Sequence, residues 1–160
     1  MEQSPDKRHI AILGSTGSIG TQALEVIEQH AGRFEVEVLT AHRNADLLIQ
    51  QSLKFQPNTV VIVDEVQYDK VQQALDPHDI KVYAGSKSLA SVVEMEAIDL
   101  VLTATVGYAG LLPTINAIKA SKHIALANKE TLVVAGELIT NLAQENGVNL
   151  LSMECVRFVK

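Results

Sequence analysis

Short apolar runs alternate with amphipathic helical patterns along the whole chain, and this alternation limits the possible folds more than any other feature. The first run, residues 9–13, is followed by a glycine-rich segment and by Ile19, Ala23, Val26 and Ile27 at helical spacing, and Gly32 is the expected end of this helix. Further runs are FEVEVLTA, TVVIV, IKVYAG, DLVLTA, HIALA and VNLL. Such alternation predicts βα units with right-handed crossovers and helices on both faces of a parallel sheet. We therefore predict an α/β fold with an open, doubly wound, mostly parallel Rossmann-like sheet of about six or seven strands.

The composition is that of one ordinary globular domain. Of 160 residues, 47% are hydrophobic and 20% are charged, which is enough apolar material for a sizeable core. No low-complexity segment or Pro/Gly-rich linker divides the chain. The net charge of −6 argues against nucleic-acid binding, because phosphate backbones need dense Lys and Arg patches.

The amino-terminal residues MEQSPDKRHI are polar, which predicts neither a signal peptide nor a membrane anchor and favours a cytoplasmic location. A single cysteine, Cys155, allows no internal disulfide and agrees with a reducing compartment. We interpret it as an ordinary thiol and not as a nucleophile.

Ligands of open parallel sheets bind at the carboxyl ends of the strands. Four segments of unusual composition follow apolar runs and should line this edge: 14–20, 42–44, 103–107 and 127–130. The first is GSTGSIG, whose glycines allow a tight turn and the close approach of an anion. The N–H groups of a helix start favour a pyrophosphate there, and Thr16 and Ser18 add hydroxyl donors. The alternative is a tight strand-to-helix turn that binds nothing.

The second segment distinguishes between nicotinamide cofactors. NAD sites place Asp or Glu after the second strand to bind the ribose 2′-hydroxyl, whereas a 2′-phosphate needs a cation. Here the residues are His42, Arg43 and Asn44, with no carboxylate before Asp46, which favours NADP. Alternatively, Arg43 only caps or solvates the start of the next helix.

The fourth segment, ALANKETLV, is the least generic. Asn128 could bond a ribose or a carboxamide, and Lys129 could contact an anionic or carbonyl group of a substrate. Equally, Glu130 could be an ordinary first-turn helix carboxylate, and Lys129 and Glu130 a solvated pair.

Three motifs resemble one enzyme family. ILGSTGSIG at 12–20, VGYAGLLPTINAI at 106–118 and LANKETLV at 126–133 look like 1-deoxy-D-xylulose 5-phosphate reductoisomerase, and the resemblance runs from about residue 10 to residue 151. It implies an NADPH-dependent oxidoreductase with a divalent metal, Mg²⁺ or Mn²⁺. The implied reaction converts 1-deoxy-D-xylulose 5-phosphate to 2-C-methyl-D-erythritol 4-phosphate in non-mevalonate isoprenoid biosynthesis. A small-molecule sugar phosphate as substrate, a homodimeric full-length enzyme and a cytoplasmic location are implied as well.

The resemblance also implies residue roles. The pyrophosphate would contact the loop, and the adenosine end would contact the segment after the second strand. In that segment many relatives have a glycine where this chain has His42, and a lysine where it has Arg43, so the positive charge is kept. The nicotinamide half would contact Asn128 and Glu130, and the substrate would contact Lys129. The expected cofactor-binding residues are thus Thr16, Gly17, Ser18, Ile19, His42, Arg43, Asn44, Asn128 and Glu130.

The resemblance ends near residue 151. Relatives continue with a Pro-x-Asp-Ser-Glu-His segment that binds metal and substrate, whereas this chain has only Glu154 in register and then CVRFVK. One carboxylate is a poor site for a hard cation. We therefore expect an NADPH-binding domain over 1–151, an atypical tail over 152–160, no metal site, and no turnover by the chain alone. Two alternatives are another NADP-dependent dehydrogenase, such as one acting on semialdehydes, and a non-enzymatic NADP-binding sensor.

Overall fold

The computed structural model describes residues 6–105, 107–127 and 129–152, with the backbone alone for 129–134 and 152. Seven strands lie within these ranges: β1 (Arg8–Leu13), β2 (Phe34–Ala41), β3 (Thr59–Ile62), β4 (Lys81–Ala84), β5 (Leu100–Thr103), β6 (His123–Leu126) and β7 (Leu150–Ser152). The α-helices are α1 (Ser18–Gln29), α2 (Ala45–Phe55), α3 (Tyr68–Leu75), α4 (Ser86–Val92), α5 (Leu111–Lys119) and α6 (Lys129–Glu145). Strands and helices thus alternate as predicted.

All seven strands form one parallel sheet in the order β4-β3-β2-β1-β5-β6-β7. The chain moves outward from β1 to β4 and then returns to the other side of β1 with β5. The direction of strand addition therefore reverses at β1, and a ligand crevice is expected beside the carboxyl ends of β1 and β5. This architecture confirms the predicted doubly wound Rossmann-like fold.

The sheet separates two apolar cores. On one face, α1, α2 and α3 pack with residues such as Leu24, Leu48 and Leu75 against Ile12 and Leu39 of the central strands. On the other face, α4, α5 and α6 pack against the remaining strand side chains, with a buried set that includes Leu13, Leu89, Val101, Ile118, Ile124 and Ile139. Because both faces are covered, most of the strand side chains are apolar.

The limits of several elements differ from the sequence-based expectation. Helix α1 ends at Gln29, with His30 as its C-cap, and not at Gly32. The segment after β3 begins with a 3₁₀ turn, Glu65–Gln67, which Asp64 caps by accepting a hydrogen bond from the Val66 N–H. Strand β7 begins at Leu150, two residues later than the run VNLL suggests. These ends depend on hydrogen bonds to caps and neighbouring strands, which apolar periodicity does not encode.

Among the described residues, no helix has both the length and the apolar character needed to cross a membrane.

Two glycines allow α1 to begin directly at the end of β1. Gly14 has a φ of +82°, which an L side chain adopts only with strain. A Cβ on Gly20 would lie 2.2 Å from the Gly14 carbonyl oxygen and 2.7 Å from the Ser15 Cα. The first turn of α1 therefore packs directly against the backbone of the glycine loop.

Replacing Gly20 should test this close approach. Alanine raises helix propensity by about 1 kcal/mol, but overlap with a backbone carbonyl costs more, so we expect Gly20→Ala to lower the free energy of unfolding by about 2 kcal/mol or more. Gly32→Ala is the control, because a Cβ there meets nothing within 4 Å. Urea denaturation measures both variants. Equal stability of the two variants would show that the loop moves aside.

Candidate functional site

The segment 14–17 forms a tight turn whose first half is fixed to β2. The N–H groups of Gly14 and Ser15 donate to the Thr40 carbonyl at 3.2 and 2.8 Å, and the Gly14 N–H lies 3.1 Å from the Thr40 hydroxyl. Ser15 is fully buried and Thr40 is almost so. The beginning of the loop is thus part of the protein interior.

The second half of the loop faces outward. Gly17 is the N-cap of α1 and supplies no side-chain cap, and the first turn holds no acidic residue. Gly17, Ser18 and Ile19 are exposed, while Thr16 is half-buried. An α-helix leaves its first N–H groups without partners in the helix, and its dipole makes this end positive. This end of α1 is therefore open to an anion.

The segment after β2 lies at the same edge of the sheet. His42, Arg43 and Asn44 are exposed, and the Asn44 side chain caps α2 by accepting from the Leu47 N–H at 3.3 Å. The helix cap is thus Asn44 and not Arg43. Within the described part of the chain, no ion pair of Arg43 is found. Its guanidinium is available to a ligand beside the loop.

The nearest following carboxylate already has a cationic partner. Asp46 in the first turn of α2 accepts from the Lys70 ammonium at 2.7 Å. Both side chains are more than half exposed, so this pair adds little stability. Its relevance is electrostatic, because the carboxylate closest in sequence to Arg43 is partly neutralised by α3.

A cavity of about 430 Å³ joins these segments. Among the expected site residues it is lined by Thr16, Gly17 and His42, together with Thr105 after β5. The loops after β1 and β5 touch, since a Cβ on Gly14 would lie 3.1 Å from Ala104. Sites for small organic ligands have cavities of about this volume.

The cavity also includes residues that the sequence analysis missed. They follow β3 and β4 or begin the helices that cover this edge: Val63, Ser86, Leu89, Ala90, Ala109, Leu112 and Pro113. None has a side chain that is unusual for its element, although Ala109, Leu112 and Pro113 lie within the motif at 106–118. Their one common property is position at the carboxyl ends of strands, which a full strand assignment could have indicated.

Four expected site residues are sequence neighbours of lining residues but do not line the cavity themselves: Ser18, Ile19, Arg43 and Asn44. Asn128 lies outside the described residues, as does Glu154. For Lys129 and Glu130 the structure describes the backbone alone, at the start of α6.

A second polar cluster lies at the opposite end of the sheet. The His9 ring Nδ1 and the Glu37 carboxylate are 2.6 Å apart, and Glu35 brings a third metal-ligating atom within 4.8 Å of both. His9 is the second residue of β1, five residues before the glycine loop, which is a distance of roughly 16 Å along a strand. This cluster is therefore not part of the cavity.

The family model for 1-deoxy-D-xylulose 5-phosphate reductoisomerase matches residues 10–136. The chain belongs to this reductoisomerase family. The reductoisomerase of Bacteroides thetaiotaomicron is 57% identical over 153 residues, which cover 96% of this chain and 39% of that protein. The reductoisomerase of Bacteroides fragilis is 58% identical over 148 residues, with 92% and 38% covered.

Solved structures of the reductoisomerase family share the fold. The Zymomonas mobilis enzyme in complex with NADPH has a TM-score of 0.87 and 37% identity, and the match covers 92% of this chain and 39% of that one. Another reductoisomerase structure, in complex with NADPH, fosmidomycin and magnesium, has a TM-score of 0.85 and 36% identity, with 91% and 36% covered. The chain thus spans about two fifths of the length of the relatives it matches.

A more distant neighbour shares only the fold. Biliverdin reductase from Synechocystis has a TM-score of 0.57 at 21% identity. Rossmann-like domains of this kind serve many chemistries.

The cap on α2 gives a stability prediction. Asn44→Ala should lower the free energy of unfolding by about 1 kcal/mol, because the Leu47 N–H loses its acceptor. Asn44→Asp keeps an oxygen acceptor in the same place and should retain the wild-type value. Chemical denaturation of both variants measures the difference, and an unchanged stability of the alanine variant would contradict a capping role.

Proposed function

We propose that this chain forms an NADPH-binding domain, with the predicted limits 1–151, in which the amino-terminal end of α1 binds the pyrophosphate. The observation that carries the proposal is the uncapped, exposed start of α1 after a glycine loop, at the edge of a 430 Å³ cavity. Backbone N–H groups and the helix dipole favour a pyrophosphate at such a position. The NADPH named with the Zymomonas mobilis reductoisomerase supports the same cofactor here.

Gly17 supports this role because the fold itself does not require a glycine there. Its φ and ψ are −75° and 172°, which any residue adopts. A Cβ would approach the Gly14 carbonyl at 3.7 Å, an ordinary contact. A glycine at this point leaves the backbone open to a close ligand, as the central glycine does in dinucleotide-binding loops.

Arg43 supports NADPH over NADH. It is exposed at the carboxyl end of β2, where dinucleotide sites of this fold contact the adenosine ribose. A guanidinium can bind a 2′-phosphate with two parallel hydrogen bonds, whereas Asp46, the carboxylate closest to Arg43 in the sequence, is paired with Lys70. We propose contacts to this end of the cofactor from His42, Arg43 and Asn44.

The reduced nicotinamide, when bound, supplies a hydride to a carbonyl carbon. The chain contributes orientation: the loop holds the pyrophosphate, and the apolar side of the cavity, which includes Leu89 and Pro113, excludes water. Contacts to the nicotinamide half from Asn128 and Glu130, and to the substrate from Lys129, stay predictions. No step is assigned to a metal, since Glu154, the one carboxylate in register with the metal-binding segment of the relatives, lies outside the described residues.

We further propose that this domain takes part in the conversion of 1-deoxy-D-xylulose 5-phosphate to 2-C-methyl-D-erythritol 4-phosphate. Family membership supports this reaction and a sugar phosphate as the small-molecule substrate. The homodimer, the cytoplasmic location and the domain limit at residue 151 stay predictions.

The loop proposal is tested with Gly17→Ala. We expect the affinities for NADPH and NADH to fall together by about 10-fold or more, because the added methyl group obstructs the approach of the pyrophosphate. The free energy of unfolding should change by less than about 1 kcal/mol, since the native φ suits alanine. Calorimetric titration and urea denaturation measure the two quantities. Wild-type affinity in this variant would show that the pyrophosphate binds elsewhere.

Cofactor preference is tested with Arg43→Ala. Loss of hydrogen bonds from a charged donor should weaken NADPH binding by about 10- to 100-fold and leave NADH affinity nearly unchanged. Arg33→Ala is a matched control, because Arg33 is an exposed arginine just before β2, at the opposite end of that strand. Equal wild-type affinity for the two dinucleotides would refute the role of Arg43.

A further inference from the structure

Gln51 is a polar side chain buried in the interior beneath the glycine loop. Only 7% of it is exposed. The nitrogen and the oxygen of its side-chain amide both form hydrogen bonds with one residue of the loop, Ser15. Gln51 Nε2 donates to the Ser15 carbonyl at 2.9 Å, and the Ser15 hydroxyl donates to Gln51 Oε1 at 2.7 Å. Since Ser15 is fully buried, these groups have no access to water. Ser15 and α2 are thus joined by two buried hydrogen bonds.

These bonds complete the anchoring of the first half of the loop. The Ser15 N–H donates to the Thr40 carbonyl at 2.8 Å, so β2 holds its backbone nitrogen and α2 holds its backbone oxygen and hydroxyl. The next residues, Thr16 and Gly17, pass into the cavity. The position of the exposed half of the loop therefore depends on how firmly Ser15 is fixed.

We infer that Gln51 is a positioning residue for the dinucleotide, a role that rests on the proposed NADPH-binding function. It holds the loop in the shape that presents the start of α1 to the pyrophosphate. It also ties the loop to α2, whose first turn follows Arg43. An apolar side chain of the same size would fill the space but leave the Ser15 carbonyl and hydroxyl buried without partners.

A graded set of variants tests this role. Gln51→Met keeps the volume and removes both hydrogen bonds, and Ser15→Ala removes only the bond from the hydroxyl. We expect NADPH and NADH affinities to fall together, by about 10-fold or more in Gln51→Met and by a smaller factor in Ser15→Ala. The ratio of the two affinities should stay that of the wild type, because Arg43 is unchanged.

Ser52→Ala is the matched control. Ser52 is fully buried in the same helix, and its hydroxyl donates to the Leu48 carbonyl of that helix at 2.7 Å and not to a loop residue. This variant also loses one buried hydrogen bond. It should be less stable than the wild type and bind both dinucleotides with wild-type affinity.

Adenosine 2′-phosphate separates positioning from general damage, because it has the group that Arg43 would bind but no pyrophosphate. Its affinity, measured by NMR titration below the unfolding transition, should be unchanged in Gln51→Met. A parallel loss of affinity for adenosine 2′-phosphate and for NADPH in Gln51→Met would overturn the inference. Wild-type NADPH affinity in this variant would overturn it as well. If Gln51→Met does not fold, Ser15→Ala decides by the same criteria. If the wild-type chain does not bind NADPH, the proposed function itself is wrong.

Discussion

The contact between the beginning of α1 and the end of β1 is the constraint on which the candidate site depends. Gly20 lies so close to the Gly14 carbonyl that no side chain fits between them. Helix α1 therefore begins immediately beyond the strand, and its free N–H groups are held at the carboxyl edge of the sheet. Because β1 is the central strand at which strand addition reverses, this edge also receives the segments after β2 and β5.

A chain of net charge −6 can bind an anionic cofactor because the arrangement of charges near the binding site matters more than the total charge. Charges farther apart than about 8 Å are largely screened at physiological ionic strength. Near the cavity the sequence provides the start of α1 and Arg43, while Asp46 is paired with Lys70. The buried carboxylate of Glu37 lies with His9 at the opposite end of the sheet. The start of α1 and Arg43 thus lie at one edge of the sheet, which they share with the carboxylates of Asp64 and Glu65 after β3. A net charge of −6 therefore does not by itself exclude a small anionic ligand.

The fold was predictable from sequence because its signals are local. Strand β2 coincides with the run FEVEVLTA, and each helix follows a glycine- or polar-rich turn. The site was only partly predictable, because its walls are ordinary residues that only the sheet order brings together, such as Val63 and Ser86. Gln51 reads in the sequence as one more polar residue of a helix. Its burial against Ser15, 36 residues earlier, follows from the way α2 packs beside the loop.

The spacing of the three loop glycines does not distinguish a glycine that the fold requires from one that the ligand requires. Gly14 is needed for its positive φ and Gly20 for the close approach of the helix, so the chain would require both without any ligand. Gly17 has an ordinary conformation and room for a side chain. A glycine that the fold does not require, at an uncapped helix start and at the edge of a cavity, is explained by what approaches from outside. The motif therefore combines two structural requirements with one requirement set by the ligand.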